Sequence, residues 1–234
     1  MSRAAGRVGW IDLARVAALA GMVVFHFARD LEIFGLVPHG LTMSGGWALF
    51  ARLVAGSFVF LSGMSLVLAH GAGLRWGAWR RRFLMIVGAA GLVSLATYAA
   101  FPQRFVYFGI LHSIAAASLI GLAVLRLPAW GMALTGAAVV ALHLTIERAL
   151  FDSVWLAWTG LSSTVRPSLD FLPLVPWLAP FLFGMALARA VDLRALPALQ
   201  LPAALTWASR HSLSVYLVHQ PVLLGVIWLA TRLG

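Results

Sequence analysis

Apolar stretches of roughly twenty residues recur along this chain, separated by short segments that carry arginine, proline and turn-forming residues. That is the length of helix that crosses a hydrocarbon core about 30 Å thick at about 1.5 Å per residue. Seven such stretches fall at 10–28, 46–70, 83–100, 105–125, 129–146, 173–188 and 211–231. They are continuous and rich in Ala, Leu and Gly rather than alternating, which predicts helices and not barrel strands. The expected fold class is all-α: an integral membrane helical bundle of about seven transmembrane helices, forming a single domain over 1–234. The sixth stretch is short and opens with Pro173, Pro176 and Pro180, a spacing that predicts a broken or kinked segment lining a cavity. The connection from Glu147 to Asp170 is expected to be the main feature outside the membrane. The segment from Asp192 to Ser209 is expected as an inner interfacial loop, broken by Pro197 and Pro202.

Composition strengthens this picture. Hydrophobic residues make up 62% of the chain and charged residues only 10%, against about a quarter charged in soluble domains. An exterior short of polar side chains has to face lipid. The formal charge of +10 comes from arginine alone, because the sequence holds no lysine. These arginines lie between apolar stretches, so they point to orientation in the membrane, and nucleic acid is not expected as a partner. One side would hold Arg3, Arg7, Arg75, Arg80, Arg81, Arg82, Arg126, Arg189, Arg194 and Arg210; the other would hold Arg29, Arg104, Arg148, Arg166 and Arg232. That asymmetry, with Arg80 to Arg82 read as lying in one short loop, predicts a cytoplasmic N-terminus and an outer C-terminus. The absence of cysteine removes disulfides, thiolate catalysis and cysteine metal sites. The first stretch is not read as a signal peptide, since it is long and carries Asp12 and Arg15.

Ionisable groups within spans are expensive in lipid and are functional candidates by default. Asp12, Arg15, Leu19, Met22, His26 and Asp30 recur at spacings of three and four, which places them on one face of the first helix. Arg15 precedes His26 by eleven residues, about 16 Å of helix. Arg15 is therefore expected toward the cytoplasmic side and His26 in the outer half. Asp30 lies one turn beyond His26, where its carboxylate could accept from one ring nitrogen and leave the other as a base. For Asp12 and Arg15, a structural ion pair at the helix entrance remains an equal alternative. In the second stretch, Gly56 and Gly63 are read as packing residues. Arg52 is expected as a buried guanidinium seeking an acid among Asp30, Glu32 and Asp170. His112 is expected about two turns inside the outer surface. Ser214, Tyr216, His219 and Gln220 precede Pro221, which is expected to open the backbone near mid-membrane. Lone histidines between helices are as often structural as catalytic. His39, His70, His143 and His211 lie in or near loops, His39 being the first of them to consider.

Six ordered blocks carry a resemblance. They are Gly9–Trp10–Ile11–Asp12–Leu13–Ala14–Arg15 continuing through Gly21–Met22–Val23–Val24–Phe25–His26–Phe27 and Asp30–Leu31; Phe58 to Leu66; Tyr107–Phe108–Gly109–Ile110–Leu111–His112; Asp170–Phe171–Leu172–Pro173–Leu174 with Pro176–Trp177; His211–Ser212–Leu213; and Tyr216–Leu217 with His219–Gln220–Pro221. Together they resemble the heparan-alpha-glucosaminide N-acetyltransferase catalytic-domain family in its short bacterial branch, over nearly the whole chain. The arginine–histidine spacing and the Phe-x-Phe-Leu-Ser-Gly block are also similar to the wider superfamily of transmembrane acyltransferases. The resemblance implies a membrane acyltransferase that moves an acyl group, typically acetyl from acetyl-CoA or another acyl-CoA, to a hydroxyl or amine of a sugar-like acceptor on the outer side. It also implies a bacterial inner-membrane location. Two departures stand out. Val16 follows the arginine where the family usually has glycine. The animal enzyme uses a histidine in the connection after the first helix and lacks one at the position of His26, so the base is either His26 or His39, with His26 preferred because Asp30 can orient it.

On that reading Arg15, Arg80, Arg81, Arg82 and Arg210 are expected to meet the phosphates of the donor. His26 with Asp30 would act as base, and His112 or Tyr107 would stabilise the oxyanion. Asp170, Arg52, Tyr107, His219 and Gln220 are the expected acceptor-binding groups. No metal is expected. The alternative is a transporter or flippase for a polar lipid or sugar, without acyl transfer. Membrane lipids are expected partners, and the small residues from Gly88 to Gly91 leave open packing within the chain or against a second copy.

Overall fold

The structure, a computed structural model, describes residues 8–146 and 152–233. Arg3, Arg7, Glu147 and Arg148 lie outside the described residues. The fold is all-α. Eight α-helices run α1 Gly9–Ile33, α2 Gly45–His70, α3 Trp76–Ala100, α4 Ile110–Val124, α5 Ala129–Thr145, α6 Leu174–Ala190, α7 Ala203–Arg210 and α8 Ser212–Leu233 among the described residues. Short 3-10 turns occupy Leu41–Met43 and Val154–Thr159. Four of the helices, α1, α2, α3 and α8, are long and apolar enough to cross a membrane, whereas α4, α5 and α6 are apolar but only 15 to 17 residues long.

Two helix starts depart from the hydrophobic pattern. The run Arg80–Arg81–Arg82 belongs to the opening turns of α3, not to a loop. Arginine is a good helix former, and the turn that reverses the chain is made earlier, at residues 71–73. By contrast, α4 begins at Ile110, five residues later than its apolar stretch. Gly109 is extended, and the Asp170 carboxylate takes the Ile110 amide at 2.9 Å. The end of α1 follows a glycine rule. Gly35 has φ 73°, and the amides of Leu36 and Gly35 return to the carbonyls of Leu31 and Glu32, a Schellman closure that an L side chain at this position would strain. Helix α6 is kinked at Val175, whose φ of −98° and ψ of 123° are not helical. Pro221 does not open α8, which continues through it. The segment before α8 is not a simple loop, since residues 203–210 form α7.

The described chain divides into two compact units, residues 1–58 with 193–234, and residues 59–192. In the first, α1 packs against α7 and α8. The Trp10 indole donates to the Pro197 carbonyl at 3.1 Å. Ser209 donates to Asp12 at 2.7 Å, and Arg15 reaches Ser209 at 3.2 Å and Asp12 at 3.5 Å. In the second unit, α5 and α4 pack on α6. A Cβ on Gly63 would collide with the Phe181 carbonyl, and one on Gly184 with the Phe60 carbonyl, so the backbones of α2 and α6 touch at two glycines. Arg189 braces the same unit by donating to the Gly71 and Leu125 carbonyls beyond the ends of α2 and α4. Gly88 and Gly91, in contrast, face open space.

Candidate functional site

In the first unit, α1 brings His26 and Asp30 onto one face, as their spacing of four requires. Their partners come from α8, about 190 residues away in sequence. The rings of His26 and His219 meet edge to face with centroids 4.9 Å apart. Asp30 is fully buried, and its Oδ1 accepts from Gln220 Nε2 at 2.6 Å. The carboxylate is thus turned to Gln220 rather than to His26, which departs from the expected His26–Asp30 pairing. An ionised carboxylate only accepts, which fixes the amide orientation of Gln220: nitrogen toward Asp30, oxygen away. His219 is held by its Nδ1, 2.6 Å from the Tyr216 carbonyl.

Three buried atoms of this cluster have no hydrogen-bond partner among the described residues: Asp30 Oδ2, Gln220 Oε1 and His219 Nε2. Buried polar groups are nearly always paired, and each one left unmade costs about 1–3 kcal/mol. These three lie on two adjoining helices, α1 and α8, which makes this cluster the candidate site.

Next to it, at the end of α1, lies a cluster with no such gaps. Glu32 accepts from the Gly40 amide at 2.8 Å, the Thr42 amide at 3.0 Å and the Thr42 hydroxyl at 2.6 Å, and it pairs with Arg29 at 2.8 Å. This arrangement staples the chain after α1 to the helix end. It was not anticipated, although the Arg29–Glu32 spacing of three residues was a readable signal. His39 is exposed in the stapled segment. Arg52 is also exposed, not buried, and pairs with none of its expected acids: Asp30 is taken by Gln220, Glu32 by Arg29 and Thr42, and Asp170 by Ile110. Arg15 is held in the Asp12–Ser209 group and Arg210 is exposed at the end of α7.

The second unit contains the remaining candidates. His112 Nδ1 accepts from the Gly109 amide at 3.2 Å, so its Nε2 carries the proton and faces Ser94 Oγ at 3.3 Å. Ser94 in turn donates to the Val106 carbonyl at 2.6 Å. Both ring nitrogens of His112 are therefore engaged in holding the 94–112 corner, which leaves no free donor for an oxyanion. Asp170 caps α4, and burial pushes its carboxyl up while the Ile110 amide pulls it down. Tyr107 packs against Phe105 and Phe171, and its buried hydroxyl has no hydrogen-bond partner among the described residues, although the Arg166 backbone is close. Ser113 Oγ on α4 is likewise buried and unpartnered. Arg80, Arg81 and Arg82 are exposed along α3. Arg82 also lines a small, partly open cavity with Ser62, Ser65, His70, Trp79 and Ser118. That cavity lies wholly within the second unit and contains neither His26 nor His219. Among the described residues no group of three or more His, Asp or Glu is placed to hold a metal ion.

Comparison with known proteins agrees with the membrane reading. The family described as "Heparan-alpha-glucosaminide N-acetyltransferase, catalytic" matches residues 7–221, most of the chain. No curated protein and no solved structure gives a significant match.

Proposed function

Because the chain belongs to the heparan-alpha-glucosaminide N-acetyltransferase catalytic family, a family of membrane acetyltransferases, we propose that it moves an acetyl group from acetyl-CoA to a hydroxyl or amine of a sugar-like acceptor, and that the transfer takes place at the His26–Asp30–His219–Gln220 cluster. One observation carries this reading. The cluster presents three buried acceptor atoms without donors, and an acceptor substrate rich in O–H or N–H groups supplies what they lack. An imidazole beside the bound hydroxyl or amine takes its proton as the nucleophile attacks the thioester carbonyl.

The donor is read as entering from the cytoplasm. With the N-terminus inside, the arginines at the start of α3 and Arg210 at the end of α7 would lie on that side, where their guanidinium groups suit the phosphates of a nucleotide-bearing thioester. Arg15, lodged against Asp12 and Ser209, is better suited to holding the α1–α7 contact than to a mobile ligand. The membrane in question is read as the bacterial inner membrane.

The test uses purified protein in detergent with acetyl-CoA and glucosamine, reading free thiol and acetylated product. Transfer that falls at least tenfold in Asp30→Asn, with acetyl-CoA still raising the melting temperature, supports the reading. Absence of both thiol release and thermal stabilisation by acetyl-CoA overturns it, since a ligand that binds the folded state must stabilise it.

A further inference from the structure

His26 is the histidine that the sequence singles out, yet the geometry points to its neighbour: we propose that His219, through Nε2, is the base that takes the acceptor's proton, a reading that rests on the acyl-transfer function above. A backbone carbonyl can only accept. The 2.6 Å contact between His219 Nδ1 and the Tyr216 carbonyl therefore places the proton of the neutral ring on Nδ1. The lone pair then sits on Nε2, which is buried and has no partner among the described residues. A second group fixing one nitrogen so that the other is free is how a histidine base is oriented elsewhere, with a carboxylate or carbonyl in the orienting role. His26 has no such tether. Among the described residues no hydrogen bond holds its ring, which packs against the rings of Phe25 and His219.

The surroundings of Nε2 fit this role. Asp30 and Gln220 lock each other at 2.6 Å and leave Oδ2 and Oε1 free. Both are acceptors for an ionised carboxylate and a correctly turned amide, so a polyol or amino sugar can donate one O–H or N–H to each of them and a third to His219. The donated proton at His219 is the one that leaves. The acceptor oxygen or nitrogen forms a bond to the thioester carbonyl carbon, the carbon–sulfur bond breaks with its electron pair on sulfur, and the proton held on His219 Nε2 passes to that thiolate. Ester or amide and free thiol are formed, and His219 returns to its starting state. The titratable groups in contact with His219 are His26 from α1 and Tyr216 on its own helix; Asp30 from α1 bonds the adjoining Gln220, and Arg29, one turn from His26, is paired to Glu32.

His219→Asn separates the role from the scaffold, because its side-chain amide can still donate toward the Tyr216 carbonyl but offers nothing at the position of Nε2. Expected is a fall in kcat of about 10²- to 10⁴-fold, with the acetyl-CoA KM and the melting temperature close to wild type. The rise of kcat with pH through the histidine range is expected to disappear. His26→Asn, made in parallel, is expected to lose less. If His219→Asn keeps kcat within about threefold of wild type while His26→Asn abolishes it, the base is His26 and the proposal fails. If His219→Asn does not fold, nitrogen-15 spectra of the labelled wild-type protein decide. The proposal requires a protonated Nδ1 and an unprotonated Nε2 on His219 that titrates, and the opposite tautomer overturns it. Wild-type protein that releases no thiol from acetyl-CoA with glucosamine overturns the acyl-transfer reading itself, an outcome distinct from a misplaced base.

Discussion

Each unit of this protein holds a histidine and an aspartate drawn from different segments, and the two pairs are finished differently. In the second unit His112 has both nitrogens engaged, by the Gly109 amide and by Ser94, and Asp170 seats on the first amide of α4. In the first unit Asp30, Gln220 and His219 each keep one buried atom without a partner among the described residues. Residue type does not distinguish the clusters. Unpartnered buried atoms on the paired side chains themselves do: among the described residues neither His112 nor Asp170 carries one, although Tyr107 and Ser113 nearby do. The His112–Asp170 cluster holds a helix start in place, and the Asp30–Gln220–His219 cluster is the one proposed to receive a substrate's donors.

The largest effect that tests this contrast is on turnover. Asp30→Asn keeps the shape and the bond to Gln220 but removes the charge and one acceptor. Transfer is expected to fall about 10²-fold, ~2.7 kcal/mol in barrier, with the melting temperature shifted by only a few degrees. A variant that melts far lower yet turns over normally per folded molecule would place Asp30 with the structural cluster and erase the distinction.

The next effect belongs to packing in the second unit. Gly184→Leu forces a side chain into the Phe60 carbonyl, and overpacking of this kind costs about 1–3 kcal/mol. Thermal unfolding in detergent reads it, and the same substitution at Gly88, which faces open space, is expected to leave the melting temperature nearly unchanged.

Smaller still are changes within the His112–Asp170 cluster. Asp170→Ala removes the cap on α4 and is expected to cost about 1 kcal/mol. Ser94→Ala removes a hydroxyl that links His112 to the Val106 carbonyl, at a similar cost of about 1 kcal/mol. Ser94→Ala is expected to leave transfer per folded molecule as in wild type; a tenfold loss would show that His112 works in catalysis after all.

These contrasts also explain what the sequence could and could not disclose. The apolar stretches were legible because lipid demands long runs of apolar residues, and His26, Asp30, His219 and Gln220 stood out because polar groups at membrane depth are rare. Helix starts were less legible. The start of α4 is set by a carboxylate sixty residues downstream, and the start of α3 by a helix-forming arginine run that a hydrophobicity pattern reads as loop. Partner choice was hidden altogether. Spacing shows that His26 and Asp30 share a face, but not that Asp30 turns to Gln220, 190 residues away. The burial expected of Arg52 failed for the same reason, since each acid that might have held it is matched by a nearer group.

The smallest effect lies in the 152–164 segment of the second unit, where one oxygen of Asp152 gathers its own loop at the surface. Its carboxylate accepts from Ser163 at 2.7 Å, from the Thr164 amide at 2.9 Å and from the Thr164 hydroxyl. The Thr164 and Ser163 hydroxyls hold its carboxyl below the ordinary carboxylate value of 3.8. A folded value depressed in this way stabilises the loop at pH above the ordinary value, and the contribution is lost as pH falls through the folded value. Hydrogen exchange at the Thr164 amide, compared with neighbouring amides to remove the intrinsic pH dependence, is therefore expected to lose protection only below about pH 4. Asp152→Asn is expected to lower that protection at neutral pH and to flatten its dependence on acid. Transfer activity is expected to follow neither change, because the bonds of this surface carboxylate run only to Ser163 and Thr164 of its own loop.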